Sequence, residues 1–282
     1  MHLDEIVARK REVWRATRAT RPSAETRTRP AQAGRFAAAI AQPEVSIIAE
    51  VKPRSPSKGD LWPVDRAVPL ACTYAANGAR AISVLADEPF FGGSPELVAA
   101  VARAVDVPVL FKDFVVDARQ VELAHACGAD AVLVIVRSLD DAELADIVAA
   151  VTALQLDPLV ETFTAAEIDR ALRVGARIIG INNRDLQDFT VDLENSARLR
   201  ALIPSGVITV SESGLASRSD VARVAGHRFD ACLVGETLLT SSDPGAALRD
   251  LCGIPRVSGA APAATVERTP RDFPVRSQGG TA

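Results

Sequence analysis

The chain has 282 residues, of which 48% are hydrophobic and 24% are charged, and its formal net charge is −4. This composition is typical of a globular protein with one large α/β domain or two small ones. The mild acidity argues against a nucleic-acid surface, which needs a clustered basic face. No apolar run reaches the roughly 20 residues that cross a bilayer, and the first residues lack a signal peptide's apolar segment. We therefore expect a cytoplasmic protein without a membrane partner.

The cysteines and histidines give no sign of a metal site. The four cysteines are Cys72, Cys127, Cys232 and Cys252. They are far apart and contain no CxxC pair, which excludes a zinc knuckle and a dense disulfide framework. The three histidines also lack metal-ligand spacing. We expect reduced thiols and no cofactor, neither a metal nor a flavin nor a nicotinamide.

Helical patterns precede the first predicted strand. Apolar residues from Leu3 to Trp14 recur at helical spacing, which predicts an amphipathic helix. Residues 15–30 are basic and contain Pro22 and Pro30, so we expect a solvated connection there. A short second helix is predicted within residues 33–40. Residues 1–45 are therefore predicted to be an N-terminal helical extension.

From Ser46 onward, eight apolar runs alternate with alanine-rich segments of helical periodicity. The runs are residues 47–51, 80–85, 108–111, 131–136, 158–160, 177–181, 207–210 and 231–234. Apolar runs between amphipathic helices indicate parallel strands that are buried on both faces. Eight such units in about 200–250 residues predict an α/β fold of the (β/α)8 TIM barrel type, here residues 46–252. Residues 253–282 are rich in Pro, Ala, Ser, Thr and Arg, which predicts a flexible, disordered tail.

Polar and charged side chains collect where the predicted strands end. They include Glu50, Lys52, Lys112, Glu161, Asn182, Arg184, Glu212, Ser213 and Glu236. The carboxyl ends of parallel barrel strands meet at one mouth, where barrel enzymes place their chemistry. Lysines and glutamates that converge at one mouth predict a catalytic site. The alternative for Glu50 and Lys52 is a structural ion pair at a strand end.

The lysines and glutamates suggest acid–base chemistry. A desolvated Lys112 near Lys52 would have a lowered pKa and could act as a general acid, with Glu161 as its partner. Glu50 would orient Lys52 or carry a proton. A Schiff base at Lys112 is the competing interpretation.

The remaining candidates suggest a phosphorylated substrate. The turns Ser213-Gly214 and Gly235-Glu236 contain glycine, whose backbone amides can approach an anion, and the helices that follow add their positive ends. Arg54 and Ser55 in the first loop would add a cation and a hydroxyl group.

Two further groups of side chains suit the other parts of a substrate. Asn182 and Arg184 could hold a carboxylate or hydroxyl groups. Phe91, Phe114 and Leu133 could line a pocket for an aromatic ring, and core packing is the alternative for the two phenylalanines.

Together these segments resemble the indole-3-glycerol phosphate synthase family of tryptophan biosynthesis. The motifs that carry the resemblance are IAEVKPRSPSKG at 48–59, ISVLAD at 82–87, PVLFKDF at 108–114, GADAVL at 128–133, VE at 160–161, GINNRDL at 180–186, SESG at 211–214 and LVGE at 233–236. The similarity extends from about Leu3 to Leu251, and the motifs are specific in combination. The tail after Gly253 has no counterpart in the family pattern.

The resemblance implies a carboxy-lyase that closes the pyrrole ring of 1-(2-carboxyphenylamino)-1-deoxyribulose 5-phosphate and releases carbon dioxide and water. Lys112 corresponds to the general acid, and Lys52 to the lysine near the substrate carboxylate. Glu161 and Glu50 correspond to the acid–base carboxylates of the later steps. The substrate-positioning residues would be Asn182, Arg184, Glu212 and Ser213, and the phosphate site would include Gly214, Gly235 and Glu236.

The resemblance implies a small phosphorylated substrate as the partner and is compatible with a monomer or with association with other tryptophan-pathway enzymes. The chain departs from the family pattern at Pro53, at Phe111 and at Thr162-Phe163, where Val-His or Thr-His is expected. None of these changes removes a catalytic group.

Three alternatives remain at this stage. A phosphoribosylanthranilate isomerase typically uses a Cys and Asp pair, whereas the first strand here offers Glu50 and Lys52. A non-catalytic scaffold would have no need for Lys52, Lys112 and Glu161 together. A paralogue that acts on a modified anthranilate derivative stays open.

Overall fold

The structure is a computed structural model that describes residues 3–16, 30–56, 58–185, 187 and 190–257. Its centre is a closed barrel of eight parallel strands, as the sequence predicts. The strands are β1 Ser46–Val51, β2 Ala81–Leu85, β3 Val109–Lys112, β4 Ala131–Ile135, β5 Asp157–Thr162, β6 Ile178–Asn182, β7 Ile208–Glu212 and β8 Ala231–Val234. The prediction of a TIM barrel is confirmed. Most of the predicted connection at 15–30 and the tail from residue 258 lie outside the described residues.

Helices precede and follow the strands. They are α1 Leu3–Ala16, α2 Arg35–Ile40, α3 Ala67–Ala76, α4 Glu88–Phe91, α5 Pro95–Ala104, α6 Ala118–Ala126, α7 Asp141–Ala153, α8 Ala165–Arg173, α9 Glu194–Arg200, α10 Arg218–Gly226, α11 Glu236–Leu239 and α12 Pro244–Leu251. Short 3-10 turns cover Val64–Arg66 and Val136–Ser138, and a two-stranded ribbon pairs Arg54–Ser55 with Gly59–Asp60. Within the described ranges, every helix is too short or too polar to cross a membrane.

Strand register brings the polar strand ends together. Strand β1 pairs with β8 on one side and with β2 on the other, which closes the barrel. Lys112 lies beside Leu85, and Asn182 lies beside Glu212. Several strands extend one or two residues beyond the predicted apolar runs because backbone pairing continues where the side chains become polar. Lys112, Glu161, Asn182 and Glu212 are among those extra residues.

Apolar side chains fill the inside of the barrel. Ile48, Leu110 and Leu159 are fully buried there, and they belong to one packed cluster with Phe36 and Ile40 of α2. This packing excludes water from the barrel axis, so the polar residues are confined to the ends of the strands.

The two N-terminal helices lie at opposite ends of the barrel. Near α2, the backbone N–H groups of Gly34 and Ala37 both donate to the carboxylate of Asp157 at the start of β5, each at 3.0 Å. Helix α1 instead contacts residues that follow β2 and β3, where Lys10 forms ion pairs with Asp87 and Asp113. Helix α2 therefore closes the amino end of the barrel, and α1 borders the mouth.

The described chain stays packed on the barrel beyond the predicted boundary at residue 252. The N–H of Val45 donates to the carbonyl of Ile254 at 2.8 Å, and the N–H of Arg256 donates to the carbonyl of Pro43 at 3.0 Å. Ile254 is 8% exposed. A buried apolar side chain and these backbone bonds hold Ile254 and Arg256 on the barrel, which the composition of the tail did not reveal.

Candidate active site

A cavity of about 350 Å³ opens at the carboxyl ends of the strands. It is lined by every predicted site residue except Arg54. These residues are Glu50, Lys52, Ser55, Phe91, Lys112, Phe114, Leu133, Glu161, Asn182, Arg184, Glu212, Ser213, Gly214, Gly235 and Glu236. The barrel therefore brings together side chains that are up to 186 positions apart in the sequence, from Glu50 to Glu236.

Glu50 is the central charge of the cavity. Its Oε1 lies 2.6 Å from Lys52 Nζ, and its Oε2 lies 3.7 Å from Lys112 Nζ. Burial by itself would raise the pKa of Glu50, but the two ammonium groups outweigh burial and hold this pKa below its ordinary value. The ion pair with Lys52 is thus real, and it lies in the cavity itself.

The expectation that Lys112 has a lowered pKa is wrong. Burial does favour the neutral amine, but the carboxylates of Glu50, Glu161 and Glu212 surround the ammonium group and raise its pKa above the ordinary value. The sequence suggested Lys52 as the dominant neighbour because both lysines end strands. The structure instead places Glu50 between them, so Lys112 stays charged and holds a proton that it can donate.

Glu212 and Glu161 form a pair of buried acids. Their residues are 1% and 3% exposed. Burial and the nearby charge of Glu161 raise the pKa of Glu212 well above its ordinary value. Among the described residues, no donor reaches either carboxylate oxygen of Glu212. A proton on Glu212 supplies the missing donor, because two ionised carboxylates cannot hydrogen-bond to each other.

The turn after β7 has an unusual backbone. Ser213 has φ +68° and Gly214 has φ +78°, and a non-glycine residue in the left-handed region is sparsely populated. Asn183, which the sequence reasoning missed, braces this turn because its Nδ2 donates to Ser213 O and to Ser211 Oγ, both at 3.2 Å. Its Oδ1 accepts from Ser196. A second asparagine beside Asn182 was the available signal.

Glu236 is a poor phosphate ligand through its side chain. Its carboxylate lies 3.3 Å from Lys58 Nζ and 3.7 Å from Arg184 Nη2, so it holds two cations beside the turn after β8. Backbone amides at the start of α11 remain suited to an anion, since the first amides of a helix lack intrahelical acceptors. A Cβ at Gly235 would lie 2.7 Å from Glu50 Oε1, so only glycine fits there.

Arg54 lies outside the cavity. Its Nε is 3.7 Å from Asp60 Oδ1, its side chain is 46% exposed, and it lines a separate groove with Trp62 and Gly92. The short ribbon turns Arg54 away while Ser55 faces the cavity, as alternate strand residues do. In place of Arg54, the cations beside Glu236 are Arg184 and Lys58.

Aromatic rings form one wall of the cavity. The ring centroids of Phe91 and Phe114 are 5.9 Å apart and their planes are tilted by 36°. Leu133 and Ile135, two positions apart on β4, also line the cavity. Ile135 was missed, although the alternation of a strand places it on the same side as Leu133.

Arg137 supports the neighbouring loop and was also missed. It donates to Glu167 Oε1 at 3.0 Å and to Asp185 Oδ1 at 2.9 Å. Its guanidinium carbon lies 4.8 Å from the ring centre of Phe163. Phe163 stands where the resemblance led us to expect histidine. Its ring packs against the Arg137 cation, which also binds Asp185 beside Arg184.

No group of three or more His, Cys, Asp or Glu side chains is arranged to hold a metal ion in the part of the chain that the structure describes.

Comparison with known proteins places these residues in context. A family model described as indole-3-glycerol phosphate synthase matches residues 3–251. The indole-3-glycerol phosphate synthase of Aromatoleum aromaticum is 41% identical over 258 residues, which is 89% of this chain and 98% of that protein. Indole-3-glycerol phosphate synthase 2 of Streptomyces coelicolor is 46% identical over 218 residues, with 77% of this chain and 84% of that protein covered.

Solved structures with low sequence identity share the fold. The crystal structure of KGPDC from Streptococcus mutans has a TM-score of 0.58 and 16% identity, and covers 74% of this chain and 95% of its own. Orotidine 5'-phosphate decarboxylase from Pyrococcus horikoshii has a TM-score of 0.56 and 15% identity, and covers 73% and 96%. At this identity the likeness concerns the barrel alone.

Proposed function

Because the chain belongs to the indole-3-glycerol phosphate synthase family, we propose that its cavity closes the pyrrole ring with Lys112 as the general acid. The observation that supports this assignment is the contact of Glu50 with both Lys52 and Lys112, at 2.6 and 3.7 Å. One carboxylate thereby contacts two ammonium groups at the same place.

The function predicted from the sequence, an indole-3-glycerol phosphate synthase of tryptophan biosynthesis, is confirmed by this membership. The same is true of the predicted enzyme class, a carboxy-lyase whose ring closure is decarboxylating. A phosphorylated small molecule fits the family as substrate. We infer that this substrate is 1-(2-carboxyphenylamino)-1-deoxyribulose 5-phosphate.

Ring closure needs a proton at the substrate carbonyl. The aryl carbon that bears the carboxylate attacks the C2 carbonyl carbon of the sugar, and negative charge develops on the carbonyl oxygen. Lys112 donates a proton to that oxygen, and its raised pKa means that the proton is present throughout the neutral pH range. Lys52 lies beside Glu50, where it can hold the substrate carboxylate until carbon dioxide leaves and aromaticity returns.

Dehydration needs a donor and an acceptor. The hydroxyl group left on the former carbonyl carbon departs as water after protonation, and a base removes a proton from the sugar C1. The Glu161–Glu212 pair can hold the proton for the hydroxyl group, because burial and repulsion favour one protonated acid. Glu50, which stays ionised, can accept the proton from C1.

The two ends of the substrate would be held by different chemistry. Phe91 and Phe114 would pack against the aryl ring. The phosphate would bind at the Ser213-Gly214 turn and near Gly235, with Arg184 as the nearby cation. Asn182 lies between the two ends and can bind the sugar hydroxyl groups.

The cytoplasmic location, the monomeric state and the association with other enzymes of the pathway stay predictions.

Mixing the purified protein with the carboxyphenylamino-deoxyribulose phosphate tests the assignment. We expect formation of the indole product, monitored by absorbance and by carbon dioxide release. Lys112→Met should lower kcat by about 100-fold or more, the size of a lost general acid, and should leave substrate binding in place. Arg9→Met changes an exposed cation of α1 and serves as the control. Tight binding without turnover by the folded wild type would favour a scaffold, and absence of both would point to another sugar phosphate.

A further inference from the structure

A buried group of three charges joins helix α1 to the mouth of the barrel. Lys10 Nζ lies 2.9 Å from Asp87 Oδ1 and 2.7 Å from Asp113 Oδ1. The Lys10 side chain is 11% exposed, and those of Asp87 and Asp113 are 0% and 6% exposed. One ammonium group therefore serves two buried carboxylates. Its loss would leave two like charges close together in a site that water does not reach, which is strongly unfavourable.

Each of the two carboxylates also places one of the aromatic rings. Asp87 Oδ2 accepts from the N–H groups of Phe90 and Phe91 at 2.8 and 3.2 Å, so Asp87 is the N-cap of α4. Asp113 Oδ1 accepts from the N–H of Phe114 at 2.8 Å. The two acids are thus tied to the backbone of the residues that form the aromatic wall.

The two acids differ in how much other support they have. Gln120 Nε2 donates to Asp113 Oδ2 at 3.2 Å. Among the residues that the structure describes, only the Lys10 ammonium approaches Asp87 Oδ1. The position of Asp87, and with it the start of α4, therefore depends most on Lys10.

Apolar packing from the same helix supports this contact. Leu3 and Ile6 of α1 are each 2% exposed and belong to the same packed cluster as Phe114, with Phe91 at its edge. Helix α1 therefore shares an apolar cluster with the aromatic wall, and its Lys10 binds the two acids beside that wall. The cavity itself does not include Lys10 among its lining residues.

We propose that Lys10 is a positioning residue for the aryl end of the substrate, because it fixes the two acids that place Phe91 and Phe114. This inference rests on the proposed function, in which the aromatic wall receives the aryl ring. The phosphate end depends on turns after β7 and β8, which Lys10 does not contact. Loss of Lys10 should therefore weaken the binding of the aryl end more than the binding of the phosphate end.

Two probes separate the two ends of the site without requiring turnover. Anthranilate reports on the aryl end and inorganic phosphate on the phosphate end, and both dissociation constants can be measured calorimetrically. We expect Lys10→Met to weaken anthranilate binding by about tenfold, roughly 1.4 kcal/mol, and to leave phosphate binding within about twofold. In turnover, KM should rise more than kcat falls. Arg9→Met removes a solvent-exposed cation from the same helix and should leave both constants unchanged.

A double variant distinguishes positioning from a general loss of stability. Lys10→Met with Asp87→Asn removes the cation and one acid together, and asparagine can still cap α4. We expect this pair to recover a large part of the lost anthranilate binding. Equal weakening of both probes by Lys10→Met, or unchanged anthranilate binding, would overturn the proposal. If both variants are unfolded, Lys10 is needed for folding alone, and this result would also overturn the proposal. If the wild type binds both probes but fails to turn over the substrate, the proposed function fails and the positioning role is still tested.

Discussion

The carboxyl group of Glu212 on β7 fills the space that a side chain on Gly180 of β6 would occupy. A Cβ at residue 180 would lie 2.1 Å from Glu212 Oε1, well inside van der Waals contact. Glycine at this strand position therefore allows a buried acid to lie flat against the neighbouring strand. The position of Glu212 beside Glu161 therefore depends on having glycine at residue 180.

Gly180→Ala should displace Glu212 from its position. Since the acid is closely packed, we expect kcat to fall by about tenfold or more, with a loss of stability of about 1–3 kcal/mol from overpacking. Steady-state kinetics and thermal unfolding measure the two effects. Gly226→Ala is the control, because no atom lies within 4 Å of a Cβ at that residue. Unchanged kcat in folded Gly180→Ala would show that the position of Glu212 does not matter.

The alkaline limb of the pH–rate profile should depend on Glu50. Burial disfavours the charged form of Lys112, whereas the nearby carboxylates raise its pKa. Among these carboxylates, Glu50 has the largest effect. Glu50→Gln removes that charge, so the Lys112 pKa should fall and the alkaline limb of kcat should move down by about one pH unit or more. Glu44→Gln, at an exposed residue, should not shift the limb. If Glu50→Gln is inactive, NMR titration of Lys112 replaces kinetics, and an unchanged pKa would contradict the prediction.

Glu212→Gln should stabilise the fold at neutral and alkaline pH. Burial and the charge of Glu161 raise the folded-state pKa of Glu212 above its unfolded value of about 4.3. Such a group contributes stability below the unfolded pKa and loses it as pH rises towards the folded pKa. The amide carries no charge, so the variant should unfold a few degrees higher than the wild type at pH about 8 and equally at pH about 4. Its kcat should fall, since the pair no longer shares a proton.

A group of the opposite sign provides the control for this pH dependence. Arg11 lowers the pKa of Glu143 to about 2 through a hydrogen bond, so this carboxylate contributes stability above its unfolded pKa and loses it as pH falls towards about 2. Glu143→Gln should therefore lower the unfolding temperature at pH about 7. A destabilised Glu212→Gln at pH about 8 would contradict the assigned pKa direction.

Arg137→Met should weaken substrate binding through the loop next to Arg184. The variant loses the hydrogen bonds to Glu167 and Asp185 and leaves both carboxylates without their guanidinium partner. We expect KM to rise by about tenfold with a smaller change in kcat, because the general acid is untouched. Arg173→Met, which removes an exposed cation 3.8 Å from Asp141, is the matched control. An unchanged KM would show that the loop keeps its position without Arg137.

Local sequence patterns were sufficient for the barrel and for most of the cavity. Each run is apolar because its strand is buried on both faces, so consecutive residues of the sequence reveal the strand. Because parallel strands point the same way, the residue after each run must reach the same mouth. Lys112 and Glu161 could therefore be assigned to one site without any knowledge of distances.

The fold, the mouth of the barrel and the types of residue that meet there thus follow from the sequence. The pairing of those groups follows from their arrangement in three dimensions. Glu50 lies between two lysines and reverses the expected pKa shift of Lys112, and the ribbon turns Arg54 out of the cavity. Lys10 reaches Asp87 and Asp113 across a sequence separation of more than 70 residues. The physical reason is that burial follows from local hydrophobic periodicity, whereas the electrostatic environment of a charge depends on distances of a few ångströms between distant segments.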